Sequence, residues 1–199
     1  MHPTAFRPSS PIVTPTLIAI CVVVYLLTPM TPDWLLGNLA LWPLGAGFRP
    51  WQLAGYAFLH GGLFHLAFNM IALHWFGGDL ERVYGPRQLL LLYAASVLGA
   101  ALAQLGVDAL QAANQPTIGA SGGVFGLLLA YAVTFPRRKV IPLFPPIPMP
   151  AWLFAALYAA LEFYLGLSGQ LPGIAHFAHL GGLAGAGAVL GWWLLSARR

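Results

Sequence analysis

The sequence predicts an all-α membrane protein, a bundle of six transmembrane helices with one long connection lying at the membrane interface. Three observations predict it. Hydrophobic residues make up 59% of the chain and charged residues 7%, with a mean hydropathy of +0.76. A soluble domain carries about 25% charged residues, so this chain has too few polar groups to cover itself. Six apolar runs follow one another, each reaching or approaching the roughly 20 residues that cross a bilayer. The nine basic residues lie in short clusters between those runs, which is a topology signal of membrane proteins. The net charge of +4 therefore does not point to nucleic acid as a partner.

A length of 199 residues fits one compact bundle over residues 12–195, with a proline-rich tail at 1–11 and a basic end at 196–199. The first run, Ile12 to Thr28, is followed by Pro29, Met30, Thr31 and Pro32 rather than by a small-x-small cleavage site, so it reads as a retained span. It contains Cys21, the single cysteine, which excludes an intramolecular disulfide and reads as a small core residue. The connection from Pro29 to Gln52 is too apolar for a free loop and too interrupted by proline and glycine for a span. Its tryptophans, Trp34, Trp42 and Trp51, favour the headgroup level, which places it in the interface. Span 2 covers Gly62 to Leu80, after an interfacial turn at Leu53–His60, and Glu81 to Arg87 reads as a short turn. Span 3 covers Gln88 to Val107, and Asp108 to Pro116 reads as a loop. Span 4 covers Ile118 to Phe135. Arg137, Arg138, Lys139 and a proline-rich stretch lead to span 5, Ala151 to Leu167. Ser168 to Gly173 is a loop before span 6, Ile174 to Leu195.

Six spans put both termini on one side. Arg7, Arg82, Arg87, Arg137, Arg138, Lys139, Arg198 and Arg199 then share that side, and Arg49 alone lies opposite. The positive-inside rule makes the arginine-rich side cytoplasmic.

Polar groups enter the apolar runs at matched positions. Spans 2, 4 and 6 all run from outside to inside, and near their starts they carry His65 with Asn69, Ser121, and His176 with His179. At 1.5 Å per residue, these groups lie within about two turns of the outer end, hence at one depth. A lone histidine or asparagine in a span often only bonds a neighbouring helix, but ionisable groups inside a membrane are costly and by default functional. A serine hydroxyl becomes a nucleophile when an imidazole takes its proton, and the carbonyl it attacks becomes an oxyanion that needs donors placed in advance. Ser121 with a histidine meets the first need. The Ser121 amide, near a helix start, and the side chains of His65 and Asn69 suit the second. No aspartate lies in spans 4 or 6 to orient the base, so a dyad fits better than a triad.

Two other motif readings are weaker. Gly119-x-Ser121-x-Gly123 matches the nucleophile elbow of soluble hydrolases, but that pattern needs a preceding strand in a soluble α/β chain. A metal site from His176, His179 and His60 or His65 lacks a His-Glu-x-x-His motif, a cysteine pair, or an acidic residue nearby in sequence, so no metal or cofactor is expected. The glycines around Ser121 (Gly119, Gly122, Gly123 and Gly126) and those of span 6 (Gly181, Gly182, Gly185, Gly187 and Gly191) suggest close helix approach. Gly119, Gly122 and Gly182 are expected as helix-packing positions where span 6 leans on span 4.

Together these residues resemble the rhomboid intramembrane serine proteases. Gly119-Ala120-Ser121-Gly122 resembles the family's Gly-x-Ser-Gly, His65-Leu66-Ala67-Phe68-Asn69 its His-x-x-x-Asn, and Ala178-His179 with Gly181 and Gly182 its Ala-His before a glycine face. Gly77-Gly78-Asp79-Leu80-Glu81 resembles its Gly-Gly with an acidic residue at the inner end of span 2. The resemblance covers residues 12 to 195 in a minimal six-span form. It implies that Ser121 is the nucleophile, that His179 rather than His176 is the base, and that His65, Asn69 and the Ser121 amide stabilise the oxyanion. It implies that residues 29–52 form the family's L1 loop in the outer leaflet. Span 5 and the Ser168–Gly173 loop would then form the gate and cap for a substrate helix. There are departures. Gln52 stands where L1 often has arginine after Trp51, Phe125 stands where many members have tyrosine, and Ala186 varies a small-residue pair with Gly182.

The function this implies is intramembrane endopeptidase activity on transmembrane protein substrates, in a bacterial inner membrane, with both termini cytoplasmic and the site opening outward. A pseudoprotease that binds membrane proteins without cutting is an alternative, opposed by the presence of both Ser121 and His179. A proton-coupled transporter is another, opposed by the lack of an inverted repeat. Glu162, ionisable and inside span 5, has no place in this scheme: it is either protonated and hydrogen-bonded or faces a water-filled gap beside the gate, and it is expected to tune gating rather than chemistry.

Overall fold

The computed structural model describes residues 10–142, 145–171 and 173–197. Arg7 with most of the predicted tail, and Arg198 and Arg199, lie outside them. The fold is mostly helical. Helix α1 (Val13–Leu27) is followed by the short α2 (Pro32–Leu39) and by α3 (Gln52–Gly55), which runs into a 3-10 turn at Tyr56–Phe58. Helix α4 (Leu63–Ala72) continues through a π-helical turn at Leu73–Gly77 into α5 (Gly78–Tyr84). Then come α6 (Pro86–Gln111), α7 (Ser121–Thr134), α8 (Ala151–Ser168) and α9 (His176–Ser196). By length and composition, α6, α8 and α9 can each cross a membrane, and a fourth span arises if α4–α5 is counted with its bent neighbour at Gln52–Phe58. Helices α1 and α7 are apolar but shorter, at 15 and 14 residues. Outside the helices, a two-residue ladder pairs β1 (Lys139–Val140) with β2 (Met149–Pro150), so the proline-rich stretch before α8 is pinned at its base.

Three boundaries differ from the sequence expectation, each for a local reason. The stretch Glu81–Arg87 is not a turn. Helix continues to Tyr84, and Gly85 alone, at φ +84°, reverses the chain before Pro86 opens α6, a position that suits proline because its missing N–H would be unpaired there. Asp108 is helical rather than in a loop; it is buried and accepts a hydrogen bond from Gln104 Nε2 at 2.7 Å. Helix α7 starts three residues later than span 4 was expected to, at Ser121 itself.

The connection between α1 and α3 is held by named bonds. Gln52, fully buried, accepts from the Trp42 and Arg49 amides and donates to the Gly37 carbonyl. Trp51 Nε1 donates to the Asn38 carbonyl. Gln52 therefore ties Gly37, Trp42 and Arg49 together across this connection. The start of α1 is fixed by Glu81. Its Oε1 accepts from the Ile12 and Val13 amides, both at 2.7 Å, and its Oε2 from the Thr14 amide and hydroxyl, both at 2.8 Å. These are the unpaired donors of a helix N-terminus.

Helix α9 is the hub, packed on α6, α7 and α8. Its glycine face divides between two neighbours. Gly182 lies on the Gly122 backbone of α7 so closely that a methyl would overlap it. Gly181 and Gly185 lie instead on α6, against Gly99, Ala103 and Ala95. Gly126 leaves no room for a methyl beside Ser96 of α6 and would meet the Gly182 carbonyl at 2.8 Å. The glycines thus set three backbones in direct contact.

Candidate active site

Ser121 is the first residue of α7, after Ala120 at φ −73°. The first amides of a helix have no intrahelical carbonyl to bond, and the ladder begins here with the Val124 amide on the Ala120 carbonyl. The seating of α9 on α7 through Gly182 and Gly122 brings His179 to this helix start. His179 Nε2 lies 2.8 Å from Ser121 Oγ. Phe125, one turn after Ser121, stacks flat on the His179 ring, with centroids 4.3 Å apart and planes at 4°. It walls one face of the imidazole without a hydroxyl of its own.

His65, on α4, comes to the same point from the other side. Gly119, at φ +128°, carries no side chain because a methyl there would lie 2.8 Å from His65 Cε1 and Nε2. Gly119 thus lies outside α7 and serves close approach to His65, not the packing of one helix on another. The Gly61 amide donates to His65 Nδ1 at 3.4 Å, which leaves Nε2 as the protonated nitrogen, a donor beside Gly119. His60 packs edge-on to His65, at 5.1 Å between centroids. Burial, and then the neighbouring His65, push its pKa down to about 4, so at neutral pH it is an uncharged neighbour. Asn69 is buried one turn below His65 and donates from Nδ2 to the His65 carbonyl at 2.8 Å.

Ser121 borders two cavities. One, of about 390 Å³, lies among α4, α7 and α8 and is lined by Phe68, Asn69, Trp75, Phe125, Phe154 and Tyr158 among others. The second, of about 520 Å³, lies above the helix start and is lined by His65, Thr117, Gly119, Ile174 and His179 among others.

Of the two expected settings for Glu162, the structure has the hydrogen-bonded one. It is buried on α8 and faces both histidines of α9: Oε2 lies 2.6 Å from His176 Nδ1 and 2.9 Å from His179 Nδ1. The first contact is a well-formed hydrogen bond. The second is close but off the line of the ring N–H, and among the described residues His179 Nδ1 has no well-directed partner. Glu162, His176 and His179 are also the cluster that has the atoms to ligate a cation, a different set from the histidines grouped in sequence. Sequence reasoning missed this convergence. The signal was present: an ionisable group inside an apolar helix needs a partner, and the two histidines lie near the same end of the bundle.

Comparison with known proteins agrees with this architecture. Residues 47–197 match the Rhomboid domain family. RHOMBOID-like protein 4 of Arabidopsis thaliana is 34% identical over 166 residues, covering 80% of this chain and 38% of that protein. Rhomboid protein 1, mitochondrial, of Saccharomyces cerevisiae is 33% identical over 148 residues, 73% of this chain and 42% of that protein. Rhomboid protease GlpG of Yersinia pestis is 28% identical over 182 residues, 90% of this chain and 62% of that protein. The chain thus spans between 38% and 62% of the length of these relatives. The match takes in α4–α5, α7 and α9, the elements that carry the serine and the three histidines around it. With its apolar helices, it makes the chain an integral membrane protein that belongs to the rhomboid family.

Proposed function

We propose that the chain is an intramembrane serine endopeptidase that hydrolyses peptide bonds in or near transmembrane segments of membrane proteins. The observation that carries this reading is the 2.8 Å approach of His179 Nε2 to Ser121 Oγ at the border of two cavities. Within hydrogen-bond reach, the imidazole takes the hydroxyl proton as Oγ attacks the scissile carbonyl carbon. The carbonyl π pair moves onto oxygen. That oxyanion meets the Ser121 amide at the α7 start, His65 Nε2–H, and the second amide hydrogen of Asn69. Collapse breaks the C–N bond, and the His179 proton passes to the leaving amine. Water then repeats the sequence on the acyl-enzyme and frees Ser121. None of these steps calls on a metal or cofactor.

The substrate class follows from the setting. A transmembrane helix hides its carbonyls in backbone hydrogen bonds, so the cut segment must unwind, and small or helix-breaking residues near the bond favour that. The cavity among α4, α7 and α8 is the entry that leads to Ser121 from the lipid side, and α8 with the 168–173 loop is its gate and cap.

The same reading carries a topology of six spans, with α1 and α7 as the short ones, in a bacterial inner membrane. Residues 29–52 are the L1 loop in the outer leaflet, and residues 12–195 are the protease domain. Asp79 supports the orientation, since it draws Arg82 and Arg138 together at one end, at 3.0 and 2.8 Å, while Arg49 bonds Asn38 in the opposite connection. The cationic end is cytoplasmic.

The test is cleavage of a model transmembrane substrate by purified wild type, Ser121→Ala and His179→Ala. Cleavage by wild type alone is expected. Undiminished cleavage by Ser121→Ala ends the serine-protease reading. A folded, substrate-binding wild type that never cuts would favour a binding role instead.

A further inference from the structure

The convergence of two imidazoles on one carboxylate oxygen can be read by counting protons. To accept the Ser121 proton, His179 must keep Nε2 bare, so its own proton sits on Nδ1. That Nδ1 is buried without a well-directed partner, and a buried donor without an acceptor is costly. The acceptor beside it is Glu162 Oε2, at 2.9 Å. His176 fixes the other side of the carboxylate. Its Nε2 lies 3.3 Å from the Gln170 carbonyl oxygen, which can only accept, so Nε2 carries a proton. Its Nδ1 shares the 2.6 Å contact with Glu162, at the short end of hydrogen bonds to a carboxylate.

We propose that Glu162 is the positioning residue of the base, so that a carboxylate from α8 completes a Ser121–His179–Glu162 relay, with His176 as the brace that holds the carboxylate. The proposal rests on the protease reading above and adds a member that its dyad lacks. Glu162 selects the His179 tautomer that leaves Nε2 free and keeps the ring aimed at Ser121. When Nε2 takes the Ser121 proton, the ring becomes an imidazolium and its Nδ1–H···Oε2 contact becomes charge-assisted. The carboxylate takes no proton at any step. The proton moves from Oγ to Nε2 and on to the leaving amine. The off-line angle in the substrate-free site agrees with this, since catalytic hydrogen bonds are often poorly aligned until substrate is bound. Phe125 blocks one face of the ring, so the ring's freedom lies mainly in its own plane, the motion a partner at Nδ1 stops.

Two other readings of the cluster make different predictions. As a cation site, its three ligand atoms would sit about 3.3 Å apart around a tetrahedral ion with bonds of about 2.0–2.1 Å, wider than the 2.6 and 2.9 Å seen. As mere glue between α8 and α9, it would affect folding but not the chemical step.

The experiment uses the full chain, purified in detergent, with a transmembrane model substrate. Expected for Glu162→Gln is a kcat about 10²–10³-fold lower with KM within about twofold, and labelling of Ser121 by a fluorophosphonate slowed in parallel. Glu162→Asp should recover at least about tenfold of that loss. Nitrogen-15 spectra of histidine-labelled wild type should show His179 protonated at Nδ1 and bare at Nε2, and Glu162→Gln should broaden or mix the two forms. An unchanged kcat in folded Glu162→Gln overturns the proposal. If neither variant folds, a wild-type spectrum with His179 protonated at Nε2 overturns it instead. Zinc that raises the melting temperature of wild type but not of Glu162→Gln, with inhibition relieved by EDTA, would assign the cluster to a metal and also overturn it. An active Ser121→Ala enzyme would refute the protease reading itself, whereas Glu162→Gln at full activity beside an inactive Ser121→Ala refutes only the relay.

Discussion

The chemistry proposed for Ser121 depends on its being the first residue of α7 rather than an interior one. In mid-helix its amide would be spent on a carbonyl one turn back, and its hydroxyl could bond the same carbonyl. At the first position both are free, and Gly119 keeps the approach open. That gives a test at the residue scale. Gly119→Ala combines a strained positive φ with a methyl 2.8 Å from the His65 ring, so it should displace the Nε2 donor. We expect kcat of the folded variant to fall about 10²-fold, as for loss of one oxyanion donor, together with a lower melting temperature from the strained backbone and the overlap, measured by substrate cleavage and thermal unfolding. A wild-type kcat would show that His65 does not serve the reaction from this position. At this scale the sequence was informative where chemistry was unusual for its surroundings. Ser121, His65, Asn69 and His179 were visible as polar groups at one depth of apolar runs, and Phe125 as one turn from the serine. Glu162 was visible as an anomaly but not as a partner, because depth along a helix does not fix the direction in which a side chain points.

At the element scale, helix contacts are set by backbone proximity. Gly182→Ala should drive a methyl into the Gly122 backbone and destabilise the fold by about 1–3 kcal/mol, as overpacking typically does. Gly191→Ala, with open space at its Cβ, should not; melting curves in one detergent compare the pair. Equal effects would mean that the glycine contact is not what seats α9. A second prediction concerns α1. Glu81→Gln should cost about 2 kcal/mol at neutral pH, the scale of a lost cap with charged hydrogen bonds. Melting curves of the two proteins in one detergent read the difference, and equal melting temperatures would show that the carboxylate is not what caps α1. The long helices were legible from runs of apolar residues, with the ends of α5 and α6 each about a turn further on than expected, whereas the short α2 was not. The cap was not, since Glu81 lies 67 to 69 residues from the amides it binds. Nor was the division of the α9 glycines between α6 and α7, because spacing marks a small-residue face but not which neighbour lies on it.

For the whole molecule, the proposed orientation rests on where the cations collect, and it can be checked directly. In a Cys21→Ala background, Asn114→Cys and Arg137→Cys place exposed thiols in the α6–α7 loop and in the stretch before β1. An impermeant maleimide added to intact cells, with the outer membrane opened, should label position 114, and should label position 137 only after the inner membrane is permeabilised. The reverse pattern would invert the topology and place the serine at the cytoplasmic face.

The two cavities that meet at Ser121 have a kinetic consequence. An acyl group on Ser121 would still have its peptide segment in the cavity among α4, α7 and α8, while the cavity above the helix start stays open to the second reactant. Donor and acceptor would then use separate ports, and turnover would not require the acyl fragment to back out before the next nucleophile arrives. In partition terms, small water-soluble nucleophiles such as hydroxylamine should compete with water for the intermediate in proportion to their concentration, whereas amines confined to the lipid should not. The product ratio would thus report which port each nucleophile uses.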